Sequence, residues 1–180
     1  MAMAEKPLII EGRVWPIVDA SGKFIDDVDT DQIYHNAHLA VTDVDEMGRY
    51  AFGNLAGWED FPAKARPGDI LAVGANFGGG SSRQQAVDCF RALGVAGVVG
   101  VSFGAIYKRN AINAGWPLVE CPNLEELGPA AGDVLRVNVE TGEAANVTKG
   151  TTAAARPFSR VQLDIYRAGD LFAYGATLAP

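Results

Sequence analysis

Short apolar runs alternate with amphipathic stretches in the middle of the chain. The apolar runs at residues 69–74, 95–101 and 116–121 are typical of buried strands. Between them, residues 81–93 repeat apolar side chains at helical spacing, and residues 103–114 predict a second helix. A glycine follows each stretch where a helix would end. A strand–helix–strand–helix–strand pattern with short connections predicts an α/β core with a parallel sheet.

The flanking parts of the chain have different patterns. Residues 8–18 are rich in β-branched and aromatic side chains and predict an opening strand before a turn. Residues 43–52 predict a short helix. Farther on, residues 132–139 and 143–148 flank a Thr-Gly turn and predict a β-hairpin, while residues 159–179 predict a short helical piece and a closing Gly-rich segment. We therefore expect a mostly parallel central sheet with a peripheral hairpin.

The composition is that of a globular protein. The chain has 180 residues, of which 48% are hydrophobic and 21% are charged, and it is long enough to bury a sizeable core. No internal repeat, low-complexity tract or long linker divides it. We therefore expect a single domain over residues 1–180.

Charge and cysteine content limit the classes of partner and the compartment. The formal net charge is −7, without a run of Lys or Arg, which argues against nucleic acid or an anionic membrane as a general partner. We find neither a signal-peptide pattern nor a run of about 20 apolar residues. The two cysteines, Cys89 and Cys121, are too few for an iron–sulfur cluster or a structural zinc, which need about four ligands. We expect reduced, buried thiols and a cytoplasmic location.

The segment at residues 74–83, Gly-Ala-Asn-Phe-Gly-Gly-Gly-Ser-Ser-Arg, is the most informative about chemistry. Its three consecutive glycines let the backbone turn sharply and approach a ligand, and the predicted helix start offers unpaired N–H donors to an anion. Ser81 and Ser82 add hydroxyls, and Arg83 adds a planar guanidinium that suits a carboxylate. The pattern indicates an anion site in which a serine acts as a base if donors stabilise its alkoxide. The alternative is that a serine caps the helix while Arg83 forms a surface ion pair.

A second polar cluster lies earlier in the chain. Asp29 and Asp31 flank Thr30, and they suit a metal ion, an arginine or the capping of backbone donors in a turn. His35 and His38 are close in sequence, but two histidines without a third ligand nearby make a weak zinc site. We therefore expect that this chain binds no metal.

Four segments, taken in order, resemble one enzyme family. They are residues 29–33 (Asp-Thr-Asp-Gln-Ile), 76–83 (Asn-Phe-Gly-Gly-Gly-Ser-Ser-Arg), 102–107 (Ser-Phe-Gly-Ala-Ile-Tyr) and 110–115 (Asn-Ala-Ile-Asn-Ala-Gly). Together they resemble the small subunits of isopropylmalate isomerases (3-isopropylmalate dehydratases) and the C-terminal swivel domain of aconitase and homoaconitase. Each motif alone would be weak, but four in the right order make a chance resemblance improbable.

The resemblance implies an α/β fold of the β/β/α swivel type that closes over a large subunit. In such enzymes the large subunit carries a [4Fe–4S] cluster, which binds the hydroxyl and a carboxylate of the substrate. The reaction dehydrates and rehydrates a 2-hydroxy di- or tricarboxylate, so that the hydroxyl moves to the neighbouring carbon. By the same resemblance this chain is the small subunit of a heteromeric hydro-lyase of leucine biosynthesis and is inactive without its partner.

The resemblance also implies roles for residues of this sequence. Ser81 matches the serine that removes the carbon-bound proton of the substrate. Ser82 and Arg83 match positions that bind substrate carboxylate, beside the backbone of Gly80. Asp31 matches an acid that helps to organise the site.

The sequence departs from the family pattern at two places beside these residues. Gly79 stands where many members have a cysteine or an acid, and Gln84-Gln85 stands where they have Glu-His or Glu-Gln. Loss of the acid after Arg83 alters how that arginine is held, but the serine, arginine and glycine frame is intact. The departures therefore concern the contacts around the site more than the base itself.

The loop after the Thr-Asp motif bears on the choice of substrate. Members that bind an extra carboxylate tend to have an arginine there, whereas this chain has His38, Leu39, Ala40 and Val41 and no arginine before Arg49. An apolar pocket suits an alkyl substituent, because a buried carboxylate without a partner is costly. The loop therefore favours 2-isopropylmalate or a related alkylmalate, although a protonated His38 would be able to meet a carboxylate.

Two other functions fit the same residues. One is the small subunit of a homoaconitase-like, aconitase-like or dimethylmalate-like dehydratase. The other is a stand-alone module that binds a small anion through the glycine-rich segment. The module predicts ligand binding by the isolated chain, with neither a partner nor a cluster.

Overall fold

A mixed sheet of seven strands organises residues 6–178, the part of the chain that this computed structural model describes. The strands are β1 (Ile9–Pro16), β2 (Ile70–Val73), β3 (Gly97–Gly100), β4 (Leu118–Glu120), β5 (Val134–Asn138), β6 (Glu143–Asn146) and β7 (Thr151–Ala154). Their order across the sheet is β4-β3-β2-β1-β5-β6-β7. Strands β1 to β4 run parallel, whereas β5 pairs antiparallel with β1 and continues into antiparallel β6 and β7.

Helices connect the strands and cover the sheet. The α-helices are α1 (Thr30–Ile33), α2 (Val44–Met47), α3 (Phe61–Lys64), α4 (Gln85–Ala92), α5 (Ala105–Asn113), α6 (Leu124–Leu127), α7 (Arg160–Ala168) and α8 (Leu171–Thr177), with single 3₁₀ turns at Asn36–His38 and Gly48–Tyr50. α4 connects β2 to β3 and α5 connects β3 to β4, so the predicted alternation in the core is confirmed. Within the described residues, none of the helices has the length and apolar character needed to cross a membrane.

The parallel strands at the centre are buried on both faces. Every residue of β2 and β3 is buried, as expected for parallel strands that helices cover from both sides. Leu71 and Val98 point into a core that includes α4 and α5. Their neighbours Ile70 and Val99 point to the opposite face, into a core formed with β5, α6 and α7.

The later part of the chain confirms the hairpin and adds elements that its pattern did not predict. β5 and β6 are the two hairpin strands, with Leu135 opposite Asn146. β7 adds to the edge of the sheet, and its Thr-Thr-Ala-Ala sequence has no large apolar side chain that would have indicated a strand. Two helices, α7 and α8, close the described chain where we expected one helical piece and a Gly-rich segment, and Gly175 lies inside α8.

The helix predicted over residues 81–93 begins later than expected. α4 starts at Gln85, and no side chain caps it. Ser81 and Ser82 therefore lie in the irregular segment that leads into the helix, and neither is its cap. The physical reason is a competing contact, because the hydroxyl of Thr30 donates to the carbonyl of Ser81 at 2.9 Å and holds the segment outside the helix.

The acidic segment before β2 forms a helical turn that we did not predict. Asp29 is the N-cap of α1, and its carboxylate accepts the N–H groups of Asp31 at 2.9 Å and Gln32 at 2.8 Å. The side chain of Gln32 in turn accepts the N–H of Asp29 at 3.0 Å, which completes a capping box. Asp29 thus caps backbone donors, one of the roles left open above. The short helix expected at residues 43–52 is present as α2 and the 3₁₀ turn behind it.

Candidate active site

The glycine loop, residues 74–83, follows β2 at the carboxyl end of the parallel strands, where ligands bind in open α/β sheets. Phe77 is fully buried and anchors the loop in the core. Gly78 and Gly80 have φ angles of 78° and 95°, in a region that favours glycine. At Gly78 a Cβ atom would lie 2.3 Å from Cγ of Tyr107. Backbone geometry and close packing both require glycine at this point of the loop.

α1 lies beside the glycine loop and fixes its course. The N–H of Thr30 donates to the carbonyl of Gly79 at 2.9 Å, and its hydroxyl donates to the carbonyl of Ser81 at 2.9 Å. The N–H of Gly78 donates to the carbonyl of Val28 at 2.7 Å. Thr30 is only 3% exposed, so water competes little for its hydrogen bonds. Two segments that are distant in sequence therefore form one hydrogen-bonded unit.

Arg83 and Asp31 form an ion pair at the edge of this unit. Nη1 of Arg83 donates to Oδ1 of Asp31 at 2.6 Å and to the carbonyl oxygen of Tyr34 at 2.9 Å. The hydrogen bond from Arg83 lowers the pKa of Asp31, and the N–H of Asn36 lowers it further. The guanidinium has three further N–H donors on Nε and Nη2, which suit a second carboxylate. The structure thus brings together two of the residues to which the resemblance assigned roles.

Asp31 has partners that the sequence did not indicate. Its Oδ1 also accepts the N–H of Asn36 at 3.0 Å, and its Oδ2 accepts Nδ2 of Asn54 at 3.0 Å. Nε2 of His35 lies 3.9 Å from Oδ2. Asn54 is 23 residues from Asp31 along the chain, in a turn-rich stretch with no motif, and no local signal distinguishes it. The contact arises only from the tertiary fold.

Both serines of the glycine loop are exposed. Nδ2 of Asn110, on α5, donates to Oγ of Ser82 at 3.4 Å, which is a long contact. The backbone of Ser81 is held by Thr30 through its carbonyl. The helix start predicted at residue 81 is wrong, because α4 begins only at Gln85, so the Ser81 hydroxyl does not lie at a helix N-terminus.

The loop that follows α1 runs toward Tyr50. The ring of His38 stacks on that of Tyr50 with centroids 4.0 Å apart, and the carbonyl of His38 accepts the hydroxyl of Tyr34 at 3.1 Å. Ala40 is exposed, and Val41 is half-buried against the core. The three residues assigned to substrate choice therefore share one loop that begins at the candidate site, with the His38 ring turned onto an aromatic neighbour.

No group of three or more His, Cys, Asp and Glu side chains among residues 6–178 is arranged to bind a metal ion. The rings of His35 and His38 have centroids 6.2 Å apart. Cys89 and Cys121 are both buried and unpaired, and burial raises the pKa of each thiol. The side chains of the described chain therefore do not fit an iron–sulfur cluster.

Known proteins with similar sequences have closely related names. The family model described as the aconitase C-terminal domain matches residues 58–123, which include the glycine loop. The isopropylmalate/citramalate isomerase small subunit of Methanocaldococcus jannaschii is 40% identical over 92% of this chain and 93% of its own length. The 3-isopropylmalate dehydratase small subunit of Methanosarcina acetivorans is 38% identical over 94% of this chain and 98% of its own length. This chain belongs to the 3-isopropylmalate dehydratase small-subunit family.

A solved structure related to this family has the same fold. The crystal structure of 3-isopropylmalate dehydratase from Methanocaldococcus jannaschii matches with a TM-score of 0.82 and 34% sequence identity, over 94% of this chain and 94% of that chain. The α/β swivel fold that the resemblance implied is therefore confirmed. Membership in a small-subunit family also implies a larger partner subunit, as the name of the family indicates.

Proposed function

We propose that this chain is the small subunit of a hydro-lyase that, with a large subunit, converts 2-isopropylmalate to 3-isopropylmalate. Water leaves the substrate and adds back with its hydroxyl on the neighbouring carbon. Relatives of nearly the same length, named for this activity, support the proposal. The observation that carries it is structural. Thr30 on α1 holds Ser81 in place in the glycine loop, while Asp31 on the same turn holds Arg83.

Each side chain of this unit has a separate role in the proposed reaction. Ser81 removes the proton from the carbon that neighbours the hydroxyl-bearing carbon. The donors on Nε and Nη2 of Arg83 bind a substrate carboxylate, while Asp31 holds the guanidinium through Nη1. The Ser82 hydroxyl and the backbone of Gly80 contribute further contacts to the same carboxylate.

The alkoxide form of Ser81 needs hydrogen-bond donors that the N-terminus of α4 does not supply. A serine hydroxyl is a weak base in water, and its alkoxide needs aimed donors in a site that excludes water. Because α4 begins at Gln85, the positive end of its dipole is displaced from Ser81. The large subunit closing over this exposed edge completes the environment of the serine, and the isolated chain is therefore expected to be inactive.

The [4Fe–4S] cluster of the proposed enzyme belongs to the large subunit. The described side chains do not fit a cluster, so this chain contributes the base and a carboxylate site. When bound by the partner, the cluster would supply a Lewis-acidic iron to the substrate.

The net charge of −7 supports a function without nucleic acid or an anionic membrane. Unpaired, buried thiols support a cytoplasmic location, and we take residues 1–180 to act as a single swivel domain.

Substrate choice in this proposal depends on the loop of His38, Ala40 and Val41. No arginine occurs between Asp31 and Arg49, which disfavours the extra carboxylate of an aconitase-type or homoaconitase-type substrate. Citramalate is a second candidate, because a relative at 40% identity is named for both isopropylmalate and citramalate. It has a methyl group where 2-isopropylmalate has an isopropyl group, so the same apolar pocket would accept it with less contact.

The first experiment is an activity assay on the assembled enzyme. This chain is co-expressed with a large subunit from the same genome, the cluster is reconstituted without oxygen, and turnover is measured on 2-isopropylmalate, citramalate, dimethylmalate and homocitrate. We expect turnover of 2-isopropylmalate with both chains and none with either chain alone. Turnover of a tricarboxylate alone would overturn the interpretation of the loop. Anion binding by the isolated chain, with no turnover by an intact complex, would favour the stand-alone module.

A substitution at Ser81 tests the identity of the base. Ser81→Ala should lower kcat by about 10²- to 10⁴-fold, the usual contribution of a general base, and should leave the complex intact because it removes a single hydroxyl group. Ser82→Ala is the matched control and should act mainly on KM, because that hydroxyl is assigned to binding. A nearly normal kcat in Ser81→Ala would reject Ser81 as the base.

A further inference from the structure

The carboxylate of Asp31 is held from two sides. Its Oδ1 faces Nη1 of Arg83 at 2.6 Å and the N–H of Asn36 at 3.0 Å. On the other side, Nδ2 of Asn54 donates to Oδ2 at 3.0 Å and reaches the backbone carbonyl of Asp31 at 3.3 Å. One amide group thus contacts both the side chain and the backbone of the residue that holds Arg83.

The turn that carries Asn54 is built around a strained residue. Phe52 has a φ of 58°, a left-handed conformation that is uncommon for a bulky side chain. Its ring is fully buried and packs against Phe61 and Phe90, with centroid distances of 5.3 and 5.0 Å. Its N–H donates to the carbonyl of Ile33, the last residue of α1, at 2.8 Å. The packing of its aromatic ring holds Phe52 in this strained conformation, and the hydrogen bond to Ile33 joins the turn to α1.

Strained backbone that the surrounding fold enforces is concentrated at functional sites. Here the strained turn places the uncharged amide of Asn54 against the Asp31 carboxylate, which pairs with Arg83. From this juxtaposition we propose that Asn54 is a positioning residue of the candidate active site. It locks the Asp31 carboxylate in the orientation that aims Arg83 at its ligand. The consequence for turnover rests on the proposed function, whereas the consequence for Arg83 does not.

Without Asn54, the Asp31 carboxylate has other orientations available. Its side chain is 33% exposed, and rotation about the terminal bond of an aspartate has a broad energy minimum. Oδ2 would then turn toward water or toward His35, whose Nε2 is 3.9 Å away. Such a rotation moves Oδ1 away from Arg83. An amide opposes the rotation without bringing a charge that competes with the guanidinium.

Arginine modification tests this assignment in the chain itself, without turnover. Phenylglyoxal reacts with guanidinium groups, and an arginine released from its carboxylate reacts faster. In Asn54→Ala we expect Arg83 to react roughly 2- to 10-fold faster, the range that corresponds to one lost hydrogen bond, as followed by mass spectrometry of its peptide. Arg13, paired with buried Asp69 at 2.7 Å, is the internal reference and should react at an unchanged rate.

Two further variants sharpen the modification experiment. Asn54→Asp keeps the shape of the side chain but places a second carboxylate against Asp31, so it should accelerate the reaction of Arg83 more than Asn54→Ala does. Asn123→Ala removes another exposed asparagine, one whose side chain caps no helix, and should leave the rate at Arg83 as in the wild type. An unchanged rate at Arg83 in both Asn54 variants would overturn the proposal.

In the assembled enzyme, Asn54 should act only through Asp31. Asn54→Ala should raise KM roughly 2- to 10-fold and change kcat less. In an Asp31→Ala background the same substitution should add almost nothing, because the carboxylate that it orients is already gone. Equal effects in the two backgrounds would assign Asn54 to general stability and overturn the proposal. Inactivity of the wild-type complex would count against the proposed function alone, since the modification rates still decide on Asn54.

Discussion

The hydroxyl of Thr30 joins the two halves of the candidate site by a partly buried hydrogen bond. It donates to the carbonyl of Ser81 at 2.9 Å. Thr30→Val keeps the shape of the side chain and removes the donor, so the Ser81 carbonyl loses this partner. We expect the free energy of unfolding to fall by about 1 kcal/mol and kcat to fall roughly 5- to 10-fold, as measured by denaturation and steady-state kinetics.

Thr30→Ser is the control for this substitution. It retains the hydroxyl and loses only a methyl group, which contributes about 0.8 kcal/mol when buried. Its kcat should therefore stay close to the wild-type value even if its stability falls. If Thr30→Ser is as slow as Thr30→Val, the packing of the methyl group and not the hydrogen bond positions Ser81.

Arg83 divides its guanidinium between Asp31 and, in the proposed enzyme, a substrate carboxylate. Arg83→Lys keeps the positive charge but has no planar fork, so one amine cannot make both sets of contacts. We expect KM to rise about 10- to 100-fold, the equivalent of one charge-assisted hydrogen bond, with a smaller change in kcat. Arg109→Lys, at an exposed position on α5, should leave both constants unchanged. A normal KM in Arg83→Lys would place the substrate carboxylate elsewhere.

The residues of the candidate site could be proposed from sequence motifs, but the contacts that hold them could not. Ser81, Arg83 and Asp31 stand in motifs whose residue types indicate their chemistry. Asn54 stands in no motif, and it meets Asp31 only because a strained turn returns to the end of α1. Arg83 also donates to the backbone carbonyl of Tyr34. Because every residue has a backbone carbonyl, this contact leaves no pattern in the sequence.

Elements whose own sequence determines them were predicted better than elements that depend on contacts with another segment of the chain. β2 and β3 are continuous apolar runs and lie where the sequence placed them. α1 has only four residues, too few to be stable alone, and exists because Asp29 caps it and Thr30 bonds to the glycine loop. The predicted start of α4 was wrong for the same reason, since Ser81 is drawn to Thr30 and not to the helix.

The path of the glycine loop over α5 depends on glycine at position 78. Its φ is 78°, and a Cβ would lie 2.3 Å from Cγ of the buried Tyr107. Gly78→Ala should therefore lower the free energy of unfolding by about 2–5 kcal/mol, the sum of a left-handed backbone penalty and of overpacking. Gly57→Ala, at a φ of 84° with no atom within 4 Å of the added Cβ, should lose only about 1–2 kcal/mol. If urea denaturation shows equal losses in the free energy of unfolding for the two variants, Tyr107 does not restrict the loop.

Over the whole molecule, the candidate site lies at the carboxyl ends of the parallel strands. The glycine loop follows the carboxyl end of β2, whereas β5, β6 and β7 extend the sheet on the other side of β1. Apolar patterns identified most of the strands but not their neighbours. The pairing of β1 with both β2 and β5 is decided by contacts across more than 50 residues, so the strand order could not be derived from periodicity.

An ion pair between partly exposed Arg13 and buried Asp69 joins β1 to the start of β2 and makes the stability of the fold depend on pH. Nε and Nη2 of Arg13 donate to the Asp69 carboxylate at 3.0 and 2.7 Å. Nε1 of Trp15 and the N–H of Arg66 also donate to it, each at 2.8 Å. Burial alone would raise the pKa of Asp69, but these donors together lower it below its ordinary value of 3.8.

A carboxyl group whose pKa is lowered by folding stabilises the fold above its ordinary pKa, and that contribution is lost as the pH falls through the folded-state pKa. The free energy of unfolding of the wild type should therefore decline below about pH 4. Asp69→Asn should be less stable near neutral pH by about 1–3 kcal/mol and should decline less steeply in acid. Urea denaturation from about pH 7 to pH 3 measures both effects, with Glu59→Gln at an exposed position as the control. An equally steep decline in Asp69→Asn would assign the acid sensitivity to other carboxylates, such as Asp133, whose pKa is also lowered.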